Sequence, residues 1–147
     1  MEYASRINEM ALPYLFSLVQ TLKSQGWLKS SDLINTFQMI PRHAFIDHFY
    51  TIDAPREVDK LAWKEHSFTS EEDIPLWLEQ IYANEPLVTL VDEVGQPICS
   101  STAPWLMAQM LEQLSLTENI KVLEIGTGTP DKSYFSKRRV NYNYLPH

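Results

Sequence analysis

Glu124, Gly126, Thr127 and Gly128 are the residues of this chain whose types and spacing point most directly to chemistry. They close the run Val122-Leu123-Glu124-Ile125-Gly126-Thr127-Gly128-Thr129, in which a short apolar stretch meets an acid and then two glycines one residue apart. Such a run reads as a buried parallel strand feeding a tight loop of the phosphate- or nucleoside-binding type. Glycines let the backbone approach a ligand closely, and the free amides of a following helix supply donors to it. Upstream, Ser101-Thr102-Ala103-Pro104 places two hydroxyls just before a proline that suits the first turn of a helix. Thr102 carries a hydroxyl that can donate and accept, and reads as a helix N-cap or near-cap residue.

The elements that must position these residues follow from periodicity. Leu12, Leu15, Phe16, Val19 and Leu22 recur at three- and four-residue steps and predict one face of a helix. Pro13 suits an early turn, so the regular helix is expected to begin near it, with Gly26 as its stop. Ser30 or Ser31 caps a second helix bearing Leu33, Ile34, Phe37 and Ile40, which Pro41 ends. His43 to Ser67 reads as irregular. Thr69 to Asp73 reads as a helix start, with Ser70 and Asp73 spaced like a capping box and Leu76, Trp77, Leu78, Ile81 and Tyr82 as the apolar surface. Leu87 to Val91 is β-branched and predicts a strand, followed by a turn at Glu93 to Gln96 and a short extended piece through Ile98. Ala103 to Leu116 predicts a helix with Leu106, Met107, Met110, Leu111 and Leu114 inward, and Ile120 to Ile125 a strand.

Composition narrows the class. In 147 residues, 44% hydrophobic and 12% aromatic content supports a packed domain and excludes gross disorder. A net charge of −7 argues against nucleic acid or an anionic membrane as partner, since both need a basic surface. A lone cysteine, Cys99, rules out an internal disulfide and fits a reducing compartment. With no apolar run near the roughly 20 residues of a membrane span and no signal-like start, a soluble cytoplasmic protein is expected. His43, His48 and His66 lack metal-ligand spacing, and Cys99 has no histidine partner in the sequence.

Four separate stretches, in order, resemble the protein-L-isoaspartate O-methyltransferases. Ile40-Pro41-Arg42-His43-Ala44-Phe45-Ile46 is similar to that family's V-P-R-x-x-F-V element. Tyr82-Ala83-Asn84-Glu85-Pro86-Leu87 is similar to Y-x-D-x-P-L, with Asn84 in place of the acid. Ser101 to Pro104 resembles its I-S-x-P turn, and Val122 to Thr129 its first S-adenosylmethionine motif. The long piece from Tyr50 to Ile81 is closer to the relatives that mature modified peptides than to housekeeping repair enzymes.

The resemblance implies an α/β fold, with an N-terminal helical region leading into the first strand and glycine loop of a Rossmann-like methyltransferase. It divides the chain into a substrate-side region at 1–100, the start of the cofactor domain at 101–130 and an atypical tail at 131–147. It implies S-adenosylmethionine as cofactor, held by Ser101, Glu124, Gly126, Thr127 and Gly128, with Thr102 as the catalytic residue at the reacting centre. The substrate would be the free carboxylate of an isoaspartyl residue in a protein or peptide. A third glycine would be expected where Pro130 stands, no Asp or Glu follows Asp131, and Lys132, Lys137, Arg138 and Arg139 make the final stretch basic. These departures lead to the expectation of a truncated or frameshifted reading frame that binds cofactor weakly or not at all. An incomplete sheet would favour association. The alternative expectation is a non-catalytic accessory or peptide-binding module derived from the same family.

Overall fold

The computed structural model describes residues 2–52, 62–67, 70, 72–117 and 121–123. The chain opens with α1 (Glu2–Ser24) and α2 (Ser31–Met39), then a short 3-10 turn at Arg42–Ala44. Strands β1 (Phe49–Ile52) and β2 (Trp63–His66), helix α3 (Ile74–Ile81), the hairpin of β3 (Leu87–Val91) and β4 (Pro97–Ser101), and helix α4 (Pro104–Gln113) follow. The strands form one antiparallel sheet in the order β2-β1-β3-β4. The mixed α/β class is therefore the observed one. The N-terminal region, however, is not helical alone, because the sheet is built almost entirely from it.

Helix α1 starts well before Pro13, which stands inside it. A proline there removes one helical donor, and both Pro13 and Glu9 are exposed, so water can satisfy the freed carbonyl. The buried stripe is Ile7, Ala11, Leu15, Leu18, Val19 and Leu22. Leu12 and Phe16, expected to face inward, are 59% and 58% exposed. The real face is centred a fraction of a turn away from the predicted one, on the line through Ala11 and Leu18. Gly26 ends the helix as expected, with φ of 76°, its amide donating to Lys23 O and the Trp27 amide to Leu22 O. That pair of bonds is a Schellman cap, which needs the left-handed conformation glycine tolerates.

Ser30 caps α2 through the Leu33 amide, and Leu33 and Phe37 are buried beneath it. A second cap comes from a distance: Glu112 Oε1 on α4 accepts from the amides of both Lys29 and Ser30, at 2.7 Å each. A carboxylate at a helix N-terminus meets both the orphan donors and the positive end of the dipole. This ties α4 to the N-terminal helices.

The segment read as irregular holds β1 and β2, paired from Phe49↔His66 to Ile52↔Trp63. Phe49 is fully buried and stacks on His66 with centroids 5.1 Å apart. Strand β3 matches its predicted bounds, whereas β4 runs three residues past Ile98. The turn between them is held by Asp92 Oδ1, which accepts from the amides of Val94 and Gln96, and Trp63 Nε1 reaches across from β2 to donate to Gly95 O.

Ser70 and Asp73 do bond, Asp73 Oδ2 accepting from both the amide and the hydroxyl of Ser70, but not as the expected capping box: the helix begins only at Ile74, with Asp73 at its N-cap position and no side-chain cap. Helix α3 then buries Ile74, Trp77, Leu78 and Ile81, while Leu76, expected inward, is exposed. In α4 the buried residues are Pro104, Met107, Ala108 and Leu111, and Leu106, Met110 and Leu114 lie on the exposed side, contrary to the expectation. Of the strand expected over Ile120 to Ile125, only Lys121 to Leu123 fall within the described residues. They form no strand there, Val122 packing against the core and Leu123 being exposed.

Candidate functional site

The three N-terminal motif stretches converge on one side chain. Ile40 leaves α2 in extended conformation, as the residue before a proline must, and the 3-10 turn that follows points Arg42 inward. Arg42 is only 4% exposed. Its Nη1 donates to Ile81 O at 2.8 Å and Ala83 O at 3.2 Å. Its Nη2 donates to Glu85 O at 3.2 Å, to Ser101 Oγ at 3.2 Å and to Thr102 O at 3.3 Å. The rigid fork of the guanidinium gives Nη1 one hydrogen for each of its two acceptors, whereas Nη2 shares two hydrogens among three. Two of the acceptors lie at the end of α3, where carbonyls have no helical partner and the dipole favours a cation.

The resulting clamp fixes the end of β4. Ser101 is fully buried, and its hydroxyl accepts from Arg42. Thr102 is half-buried and held through its carbonyl. Its hydroxyl makes no hydrogen bond among the described residues. The N-cap position of α4 is Ala103, not Thr102, and Ala103 has no side chain that can cap. Asn84 does so instead, its Oδ1 accepting from the Trp105 amide at 2.8 Å. The Trp105 ring packs on Trp27 with centroids 5.0 Å apart, holding the start of α4 against the α1–α2 connection.

Beside Arg42, His43 bridges α1 and the end of α3. Its Nε2 faces Asn8 Oδ1 at 2.8 Å and its Nδ1 faces the Tyr82 hydroxyl at 2.7 Å. The amide oxygen places the ring proton on Nε2, so Nδ1 accepts from Tyr82. Burial pushes the Tyr82 hydroxyl far above its ordinary value, which keeps it protonated and able to donate. Burial also lowers His43 from its ordinary 6.5, favouring the neutral ring.

A folded-state pKa below the unfolded one means that the unfolded chain binds the proton more readily. The His43 contribution is therefore complete above pH 6.5 and is lost as pH falls from there through the lowered folded-state value. His66 is shifted in the same direction, by burial and by Lys64. Melting temperature is expected to fall between pH 7 and pH 5, and His43→Gln to flatten that slope. An unchanged slope in the variant would show that His43 does not carry it.

Of the residues assigned to the cofactor, Glu124, Gly126, Thr127 and Gly128 lie outside the described residues, and Ser101 lies inside the clamp. Ser101 and Thr102 are brought together with Arg42 and Asn84, two motif residues to which local spacing assigns no role. The signal was present in the motif positions, but their partners are far away in the chain. Among the described residues no group of His, Cys, Asp or Glu could hold a metal ion. Cys99 is a free thiol, half-buried on β4. No helix among the described residues is long and apolar enough to cross a membrane.

A helical N-terminal unit joined by a short antiparallel sheet to a helix that follows a hydroxyl-bearing turn is compatible with the entry region of an α/β methyltransferase. The model of one family, protein-L-isoaspartate(D-aspartate) O-methyltransferase, matches residues 66–141, just over half of the chain. The chain belongs to this family. No curated protein matches it.

Proposed function

We propose that this chain is an S-adenosylmethionine-dependent carboxyl methyltransferase acting on isoaspartyl residues of proteins or peptides. Family membership supports the reaction class. The observation that carries the site is the Arg42 clamp, which fixes the Thr102 backbone while leaving its hydroxyl without a partner among the described residues. A substrate carboxylate is ionised at neutral pH and is already a nucleophile, so the protein need not supply a strong base. What it must supply is alignment and exclusion of water. In this reading the Thr102 hydroxyl donates to the substrate carboxylate and fixes its approach.

By residue type, Glu124 would offer a carboxylate and Gly126, Thr127 and Gly128 a glycine-spaced loop to S-adenosylmethionine, whereas the Ser101 hydroxyl, fully buried and bonded to Arg42, is closed to it. When bound, S-adenosylmethionine supplies the methyl group. The test is calorimetric titration of the purified chain with S-adenosylhomocysteine, followed by methyl transfer to an isoaspartyl peptide and to its aspartyl isomer. Weak binding, with slow formation of base-labile methyl esters on the isoaspartyl peptide alone, is expected. Thr102→Val is expected to lower turnover about tenfold or more by removing one oriented hydrogen bond. A folded chain that binds no cofactor product and methylates neither peptide would overturn the reading in favour of an accessory module.

A further inference from the structure

We propose that Asn84 and Arg42 are positioning residues for this methyl transfer, gripping the Ser101–Pro104 turn from both sides so that Thr102 keeps one place. The proposal rests on the function just given. Helix α4 begins with Pro104, which has no amide hydrogen, after Ala103, which has no capping atom. The next donor along, the Trp105 amide, is met by Asn84 from 21 residues upstream. On the other side of the turn, Arg42 binds Ser101 Oγ and Thr102 O. The same guanidinium binds Ala83 O and Glu85 O, the carbonyls that flank Asn84. Arg42 thus holds both the loop that carries the cap and the turn that is capped. Neither residue needs to touch substrate, because each acts through the backbone on either side of Thr102.

The grip makes a local prediction that general destabilisation does not. Hydrogen exchange of the full chain and steady-state kinetics would be measured for Asn84→Ala, Asn84→Asp and Arg42→Lys. In Asn84→Ala, exchange over residues 101–106 is expected to rise about tenfold, the effect of losing one N-cap, while α1 and α2 keep their protection. Turnover of the isoaspartyl peptide is expected to fall about tenfold or more, with its KM within about twofold, because misplacement of a reacting group acts on the transition state. Asn84→Asp keeps the acceptor oxygen and is expected to restore both. Arg42→Lys is expected to raise exchange at 81–85 and at 101–106 together.

Unchanged exchange over 101–106 in Asn84→Ala overturns the proposal. So does a uniform rise across the chain, or a local rise with unaltered turnover. If the unsubstituted chain methylates nothing, the proposed function fails, and the exchange measurements still decide whether the grip exists.

Discussion

Arg42→Met is expected to lower the unfolding free energy by roughly 3–5 kcal/mol, because several buried acceptors, each costing about 1–3 kcal/mol when left unmet, lose their donor at once. Methionine approximates the volume of the arginine stem, so the loss isolates the guanidinium. Four carbonyls, from Ile81, Ala83, Glu85 and Thr102, and the Ser101 hydroxyl lose a donor together. Their individual penalties do not add, since relaxation and entering water meet some of them. Urea denaturation followed by tryptophan fluorescence would measure the change, with the Trp27–Trp105 pair reporting close to the affected turn. A loss below about 1 kcal/mol, the net value of one ordinary hydrogen bond, would show that the clamp is not a stabilising centre.

Phe49→Ala is expected to cost about 3–5 kcal/mol, the usual range for truncating a fully buried phenylalanine. Phe49 joins the buried cluster that α1, α2, α3 and α4 share, and its ring lies against His66 with planes 8° apart. Truncation removes the transfer free energy of the ring and leaves a cavity beneath the β1–β2 pair. The same denaturation curve measures it, and an unchanged slope with a lower midpoint would show that the folded and unfolded states keep their compactness. A change under about 1 kcal/mol would mean that this strand pair contributes little to holding the helices and sheet together.

The two residues differ in how far the sequence alone revealed them. Arg42 stands in a motif that the sequence displays openly, yet nothing local shows that its partners are 39 to 60 residues away. Phe49 sits in a stretch that reads as irregular. Strands of four residues are too short for an alternating pattern, and Trp63-Lys64-Glu65-His66 carries two charges and a histidine. Such strands exist because they pair with each other and β1 also pairs with β3, and pairing is not written in either segment by itself.

Local chemistry was enough for much of the rest. Gly26, Ser30 and Pro41 act on amides and carbonyls within a few residues, so their effect is legible wherever they occur. The β-branched run of β3 and the proline start of α4 are legible for the same reason. The helix faces were only half legible. Leu12 and Phe16 sit beside the buried stripe of α1, and Leu106, Met110 and Leu114 beside that of α4. Periodicity marks an apolar arc wider than the part that becomes buried, and the neighbours choose within it.

By itself, then, the sequence determined the element types with strong local signals, the α/β class and the family, because each rests on residue types at short, fixed spacings. Tertiary structure decided the antiparallel sheet within the N-terminal region, the side of each helix that is buried and the Arg42–Asn84 grip on Thr102. Those depend on segments distant in the chain competing for the same interior, where a buried donor or acceptor must find a partner wherever the fold supplies one.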